Sequence, residues 1–384
     1  MAGLCYRLSG VLRAETPLHI GSGLRMGTIK RTRAFVPGSV LRGAVGTAII
    51  KAVCRHGQPL LNHEECGYFS ECSYAALFGE EFGKASHVFF RYSYPTHLKC
   101  MGSYLPAPMN LYQCKNPQCR RLYRSFCPPS KCECGSDIKQ YLGFQCSGCG
   151  EVARFPIGFC RITGSAIERW SNSAATVDAA GERAGTLHTV EAISRGSRFS
   201  FEVLVSGNFS GYVDLLRATL ERGLSDEGLG GGKSRGLGKV AIEALRVEEV
   251  TEDLLRKRAE VVDTRSFVVR LLSPMLLDGK FLDASSLLEG CRRAYSFLFH
   301  EGKPRLPEVR LVASRVDSEV FCGWSLKAQR RRSLEHAVSA GSVFYFESDV
   351  ADEVFALSLA ALEFLSIGNY KPHGCGQVRI ESKL

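Results

Sequence analysis

Apolar and polar residues alternate from Leu4 to Ala14, which predicts a strand closed by Pro17. A glycine-containing loop follows, and the period then lengthens. Pro37 stands where a helix can begin, and the apolar run to Val53 fits a helix packed on a sheet. From about Cys54 to Arg161 no period persists, and Cys, Pro, Gly and Tyr dominate. Alternation resumes in TLHTVEAI (186–193) and SRFSFEVLVSG (197–207), two predicted strands. GYVDLLRATLERG (211–223) then reads as a helix, followed by a glycine cluster and the strand KVAIEALRV (239–247).

The same order recurs after the charged connector EEVTEDLLRKRAE (248–260). RSFVVRLLSP predicts a strand and DASSLLEGCRRAYSFLF a helix. Strands are expected around VRLVASRV and GSVFYFES, then the helix ADEVFALSLAALEFL, a second glycine cluster and the strand VRIES. Each half thus reads β-α-β-β-α-loop-β, a ferredoxin-like pattern, with an insertion after the first helix of the first half. The fold class expected is α+β with tandem ferredoxin-like domains. The first spans residues 1–250, with a Cys-rich insertion at about 54–161, and the second spans 262–384.

The glycine clusters are copies of one another. Gly228-Leu229-Gly230, GGKSR and Gly236-Leu237-Gly238 match Ser366-Ile367-Gly368, NYKPH and Gly374-Cys375-Gly376. Each spacer holds a lysine at its third place (Lys233, Lys371) and closes on a basic-capable residue (Arg235, His373). Glycines let backbone N–H groups approach an anion, and the lysine adds charge. A tight helix-to-strand connection needs the same glycines, so the cations carry the functional reading. The first copy, with Gly230, Gly231, Gly232, Lys233, Ser234 and Arg235, is the better candidate for a phosphate backbone; Lys371 and His373 make a weaker one. The segment 21–35 adds Arg25, Lys30, Arg31 and Arg33, and Arg42 stands at the start of the first helix.

Composition fits these readings. The chain has 384 residues, 49 Lys+Arg against 39 Asp+Glu and a net charge of +10, which favours a polyanionic partner. No apolar run is long enough for a membrane span, and no signal peptide is evident at the start, so a cytoplasmic location is expected. Sixteen cysteines in such a compartment call for metal rather than disulfides. Seven lie between residues 114 and 149: Cys114, Cys119, Cys127, Cys132, Cys134, Cys146 and Cys149. Structural Zn2+ is the expected cofactor, with Cys132 and Cys134 joined to Cys146 and Cys149 as first choice and Cys114 with Cys119 as competitors. A looser set (Cys54, His56, His63, Cys66, Cys72) offers a second site.

TPLHIGSG (16–23), FVPGSVLRGA (35–44), GLGGGKSRGLGKV (228–240) and SIGNYKPHGCGQV (366–378) resemble segments of the RAMP superfamily of CRISPR-associated proteins. The resemblance covers most of the chain outside the cysteine-rich insertion and implies RRM-related ferredoxin-like domains. FCGWSLKAQRRR (321–332) with AVSAGSVFYFE (337–347) is similar to the subunit that caps the 5′ end of crRNA in type III effectors. The stretch 162–193 is similar to its type III-D version, or to an equivalent subunit of a type VII-like effector. The implied role is a non-catalytic RNA-binding subunit that grips the crRNA 5′ handle and seeds assembly. The implied partners are crRNA, backbone subunits and a large or nuclease subunit. Target-cleaving relatives carry an acidic residue in the loop after the first strand, whereas residues 21–35 here contain no Asp or Glu. The competing readings are a spacer-coating backbone subunit and a metal-independent guide-processing endoribonuclease using His19, or His373 with Lys371.

Overall fold

The structure is a computed structural model that describes residues 4–56, 66–79, 85–168, 170–179, 182–185, 187–278, 281–325 and 330–382. The first unit contains β1 (Cys5–Ala14), α1 (Gly38–Val53), β2 (Val88–Phe90), β3 (Arg198–Ser206), α2 (Val213–Ala218) and β4 (Val240–Val250). The sheet order is β4-β1-β3-β2 with every neighbour antiparallel, and the short strand Tyr94–Pro95 also pairs with β3. Alternation decides the faces. Leu8 and Leu12 of β1 and Phe199, Phe201, Val203 and Val205 of β3 point to one side. There they meet Leu41, Val45 and Ile49, which recur every fourth residue along α1, and Leu216 of α2.

A linking helix, α3 (Glu252–Glu260), leads into β5 (Ser266–Leu271), α4 (Ala284–Phe299), β6 (Arg310–Arg315), β7 (Val343–Glu347), α5 (Glu353–Leu365) and β8 (Val378–Ser382). These strands form an antiparallel sheet of order β6-β7-β5-β8, equivalent strand for strand to the first. Phe267, Val269 and Phe346 pack on Leu287, Ala294 and Leu298 of α4 and on Phe355, Leu359 and Leu362 of α5. Asp283 and Asp352 cap α4 and α5 by accepting the Ser286 and Phe355 backbone N–H groups, worth about 1 kcal/mol each.

Two expectations are corrected here. The segment TLHTVEAI is a strand (His188–Ile193), but it lies outside the first core sheet. It pairs with Phe159–Gly164 and, in parallel, with Ile29–Thr32, which pairs in turn with Gly21–Met26. The outer place beside β3 belongs instead to β2, inside the stretch expected to be irregular. The segment 21–35, read as a loop, is largely a β-hairpin within this accessory sheet.

The insertion runs across the face of the second sheet that its helices leave open. Phe126 packs on Val268, Val343 and Tyr345, its ring 5.9 Å from that of Tyr345. Arg124 pairs with Glu381 of β8, Arg315 donates to Phe126 O at 2.7 Å, and Met109 N donates to Gly341 O at 2.8 Å. Among the described residues no helix is long and apolar enough to cross a membrane.

Candidate nucleic-acid interface and metal sites

The two glycine clusters have one backbone conformation. Positive φ occurs at 228, 230, 232, 236 and 238 in the first and at 366, 368, 370, 374 and 376 in the second. Each encloses one 3-10 turn, Lys233–Arg235 or Lys371–His373. Their anchors match as well. Gly238 N and Gly231 N donate to Pro17 O and His19 O, as Gly376 N and Asn369 N donate to Pro274 O and Leu276 O. Ser366 and Tyr370 hold left-handed conformations that glycine holds in the first copy, a strain of about 1–3 kcal/mol each for the surrounding packing to offset.

Identical backbones have opposite surroundings. Gly231–Gly236 of the first copy is exposed, including Lys233, Ser234 and Arg235. Glu227, half-buried beneath it, accepts Lys51 at 2.6 Å and Lys233 at 2.8 Å. Burial raises the Glu227 carboxyl, but the two ammonium groups outweigh it and the net shift is downward. Arg235 Nη1 lies 3.1 Å from His188 Nε2. His19 sits against Gly231, with Nδ1 2.8 Å from Glu191 O. On the hairpin, Arg25 pairs with Lys30 in backbone register, and its side chain lies outside the described residues. Lys30 is exposed, Arg31 pairs with Glu191 at 3.1 Å, and the Arg33 guanidinium lies over the Phe35 ring. The exposed first cluster, His19 and this hairpin therefore form one basic surface.

The second copy is buried at the junction of the two units. Pro372, His373 and Gly374 are buried, and a Cβ on Gly38 would lie 2.7 Å from His373 O and overlap Phe90 O. Burial, with Arg42 and Arg332 nearby, lowers the His373 pKa to about 2; burial lowers that of Lys371 to about 8. Neither group lies on the open basic surface: His373 is buried and Lys371 half-buried. Arg42 likewise lies away from that surface: it is buried, donates to Phe78 O at 2.7 Å and Ser86 Oγ at 3.1 Å, and lies over the Phe78 ring. Tyr92, Tyr94 and Tyr104 are buried rather than free to stack, and the Trp324 side chain lies outside the described residues.

The expected grouping of Cys132 and Cys134 with Cys146 and Cys149 is also corrected, because the structure forms two separate tetrads. In one, His97 and Cys100 meet Cys146 and Cys149. Cys100 Sγ lies 3.4 Å from Cys146 Sγ, and His97 Nδ1 lies 3.3 Å from both Cys100 and Cys149 Sγ. In the other, Cys114 Sγ is 3.5 Å from Cys134 Sγ, and Cys119 Sγ is 3.6 Å from Cys132 Sγ. These separations exceed a disulfide bond and approach the ~3.8 Å edge of a tetrahedron with 2.3 Å metal–sulfur bonds. Either group could hold a metal ion.

Local structure acts unevenly on the thiols, lowering Cys146 and Cys134 while Cys114, Cys119 and Cys149 are raised. Burial pushes Cys146 up, but the Cys149 and Gly148 N–H groups, with Cys100 and His97, bring it down to about 6. Ser136 brings Cys134 to about 6. His97 Nε2 lies 3.6 Å from Glu151, which accepts Tyr104 OH at 3.1 Å, an outer-shell arrangement common around metal-bound imidazoles. Exposed Cys127 belongs to neither tetrad. In the looser set, His56 Nε2 is 3.3 Å from Cys66 Sγ, His63 lies outside the described residues, and no third ligand joins among the described residues. His97 and Cys100 escaped the sequence reading, although His97-x2-Cys100 repeats the spacing of Cys146-x2-Cys149.

The chain matches the RAMP superfamily model over residues 11–241 and the CRISPR-associated protein (Cas_Cmr3) model over residues 184–381. It is 32% identical over 109 residues to the CRISPR system Cms endoribonuclease Csm3 of Methanothermobacter thermautotrophicus, a match covering 25% of this chain and 44% of that relative. The chain therefore spans less than half the length of that relative. A chain of a type III-B Cmr-beta complex bound to cognate target RNA aligns at 16% identity and TM-score 0.33, covering 64% of this chain and 62% of that one. A chain of a Cas6 product complex aligns at 18% identity and TM-score 0.34, covering 49% and 79%. Each family model accounts for more than half of the sequence, and the chain belongs to the RAMP superfamily and to the CRISPR-associated Cas_Cmr3 family.

Proposed function

We propose that this protein is a non-catalytic, RNA-binding subunit of a type III-like CRISPR effector, built from tandem ferredoxin-like modules, and that it grips the crRNA 5′ handle. The carrying observation is the exposed Gly231–Gly236 cluster, whose Lys233 and Arg235 adjoin a hairpin with no Asp or Glu between residues 21 and 35. Backbone N–H groups and cations bind phosphates; without a carboxylate there, the hairpin has no acidic metal ligand for phosphodiester cleavage. Burial of His373, with Lys371 half-buried beside it, leaves His19 as the histidine of the competing nuclease reading that adjoins the basic surface. Each tetrad holds one structural Zn2+, the ion favoured by four closed sulfur and imidazole donors. Partners are backbone subunits bound along the same guide RNA.

The test is repeat-containing RNA binding measured against salt. Replacing Lys233 and Arg235 by Ala removes two cations from a single-stranded site, so the slope of log K against log salt falls by about 1.4. An unchanged affinity and slope would remove this cluster from the interface.

A further inference from the structure

The first sheet keeps a hollow on the face opposite its helices. About 450 Å3 in volume, it lies where three parts of the chain converge. Ser9 of β1 and Ser200 of β3 form its floor, Met101 of the His97–Cys100 turn forms its rim, and Gln377, beside the second glycine cluster, forms its far wall. A register shift between Ser9 and Val11, with Ala244 at φ 53°, bends β4 at this point. Such bulges re-aim side chains beside binding sites. Here the next outward residue is Arg246, which is exposed and has no ion pair among the described residues.

Gln377 provides the second, independent observation. Its backbone is fixed on both sides: N donates to Ser273 Oγ at 2.9 Å, and O accepts from Leu272 N at 2.7 Å. The side chain is 3% exposed, and its Nε2 has no hydrogen-bond partner among the described residues. A buried amide without a partner costs roughly 1–3 kcal/mol, and a ligand that accepts its N–H recovers that cost. A hollow of this size, mostly apolar with a few placed polar groups, is the ordinary form of a small-ligand site.

We propose that this hollow receives one unstacked nucleotide of single-stranded RNA. Gln377 meets the hydrogen-bonding edge of the base, Met101 covers its face, and Arg246 holds a flanking phosphate. An amide, with one donor and one acceptor group, reads the base edges that single-stranded RNA exposes. Ser9 is five residues, roughly 17 Å, from the end of β1, and the chain just beyond that end anchors the glycine cluster through Pro17 O and His19 O, so one bound strand could run between the two. The inference rests on the RNA-binding reading above and adds to it a position at which the base itself is read.

Binding of the purified chain to a repeat-containing RNA and to a series carrying one abasic position each provides the test. In the unaltered protein one position should cost about 10-fold in affinity, the scale of losing one base's stacking, while its neighbours cost little. Gln377→Leu should remove most of that position-specific penalty. Met101→Ala, at an exposed site that leaves the core untouched, should reduce it. Equal penalties at every position, or a penalty that persists in both variants, would overturn the proposal while leaving RNA binding intact. Protection of Met101 from oxidation by another subunit but not by RNA would also overturn it. Failure to bind the intact RNA would sink this proposal together with the function on which it rests.

Discussion

His373 shows how one residue can be read correctly in kind and wrongly in place. Its loop has the conformation of the exposed copy, yet the imidazole is buried, with its pKa lowered to about 2 by burial and by Arg42 and Arg332. The unfolded chain binds a proton at this group below about pH 6.5, and the folded chain does not. Its contribution is therefore present above pH 6.5 and is lost as pH falls, by up to about 1.4 kcal/mol per unit. Urea unfolding at pH 7 and pH 5 should show about 1–2 kcal/mol less stability at the lower pH, beyond the loss seen in His373→Gln. Equal losses in both proteins would mean the imidazole titrates freely in the fold. Lys233 and Arg235 differ in a similar way. Lys233 already shares Glu227 with Lys51, so Arg235 is the less committed cation of the exposed cluster.

Among elements, those with a clear period were legible. β1, α1, α4 and β8 follow the apolar pattern because each buries mainly one face, and α5 was legible as a continuous apolar run because it is buried almost all round from Phe355 to Leu362. The glycine clusters were legible because positive φ at fixed intervals leaves few alternatives to glycine. What alternation does not encode is the partner. His188–Ile193 reads as a strand by the same rule as β3, but its hydrogen bonds go to the hairpin and to Phe159–Gly164. β2 is three residues long and carries no period to detect. The metal partition was hidden for a related reason: a tetrad joins two distant turns, and His97 and Cys100 lie outside the dense cysteine interval. The two tetrads make an expectation for Cys146→Ser with Cys149→Ser. That variant should lose one of two zinc ions per chain by elemental analysis and retain the ion of the Cys114 group, because ligation stabilises each turn separately. Loss of both ions, or of neither, would contradict the partition.

At the scale of the molecule, the two units share one strand order but differ in what surrounds them. The second has its open sheet face covered by the insertion, and its glycine cluster is buried against Gly38 and Phe90 of the first. The first has an exposed cluster, a basic hairpin and an open hollow on its sheet. The repeated glycine cluster was visible in sequence because both copies keep their glycines at the same intervals. Their divergence was not, because it depends on what packs over each copy. On the proposed reading, RNA meets mainly the first unit, while the second supports it and closes one wall of the hollow. Incubating the purified chain with end-labelled repeat-containing RNA, and following both complex formation and chain length, tests this most directly. The account predicts a salt-sensitive complex in which the RNA remains intact, with or without divalent metal. RNA cut in a reaction that disappears in His19→Ala, or no complex at low salt, would contradict it.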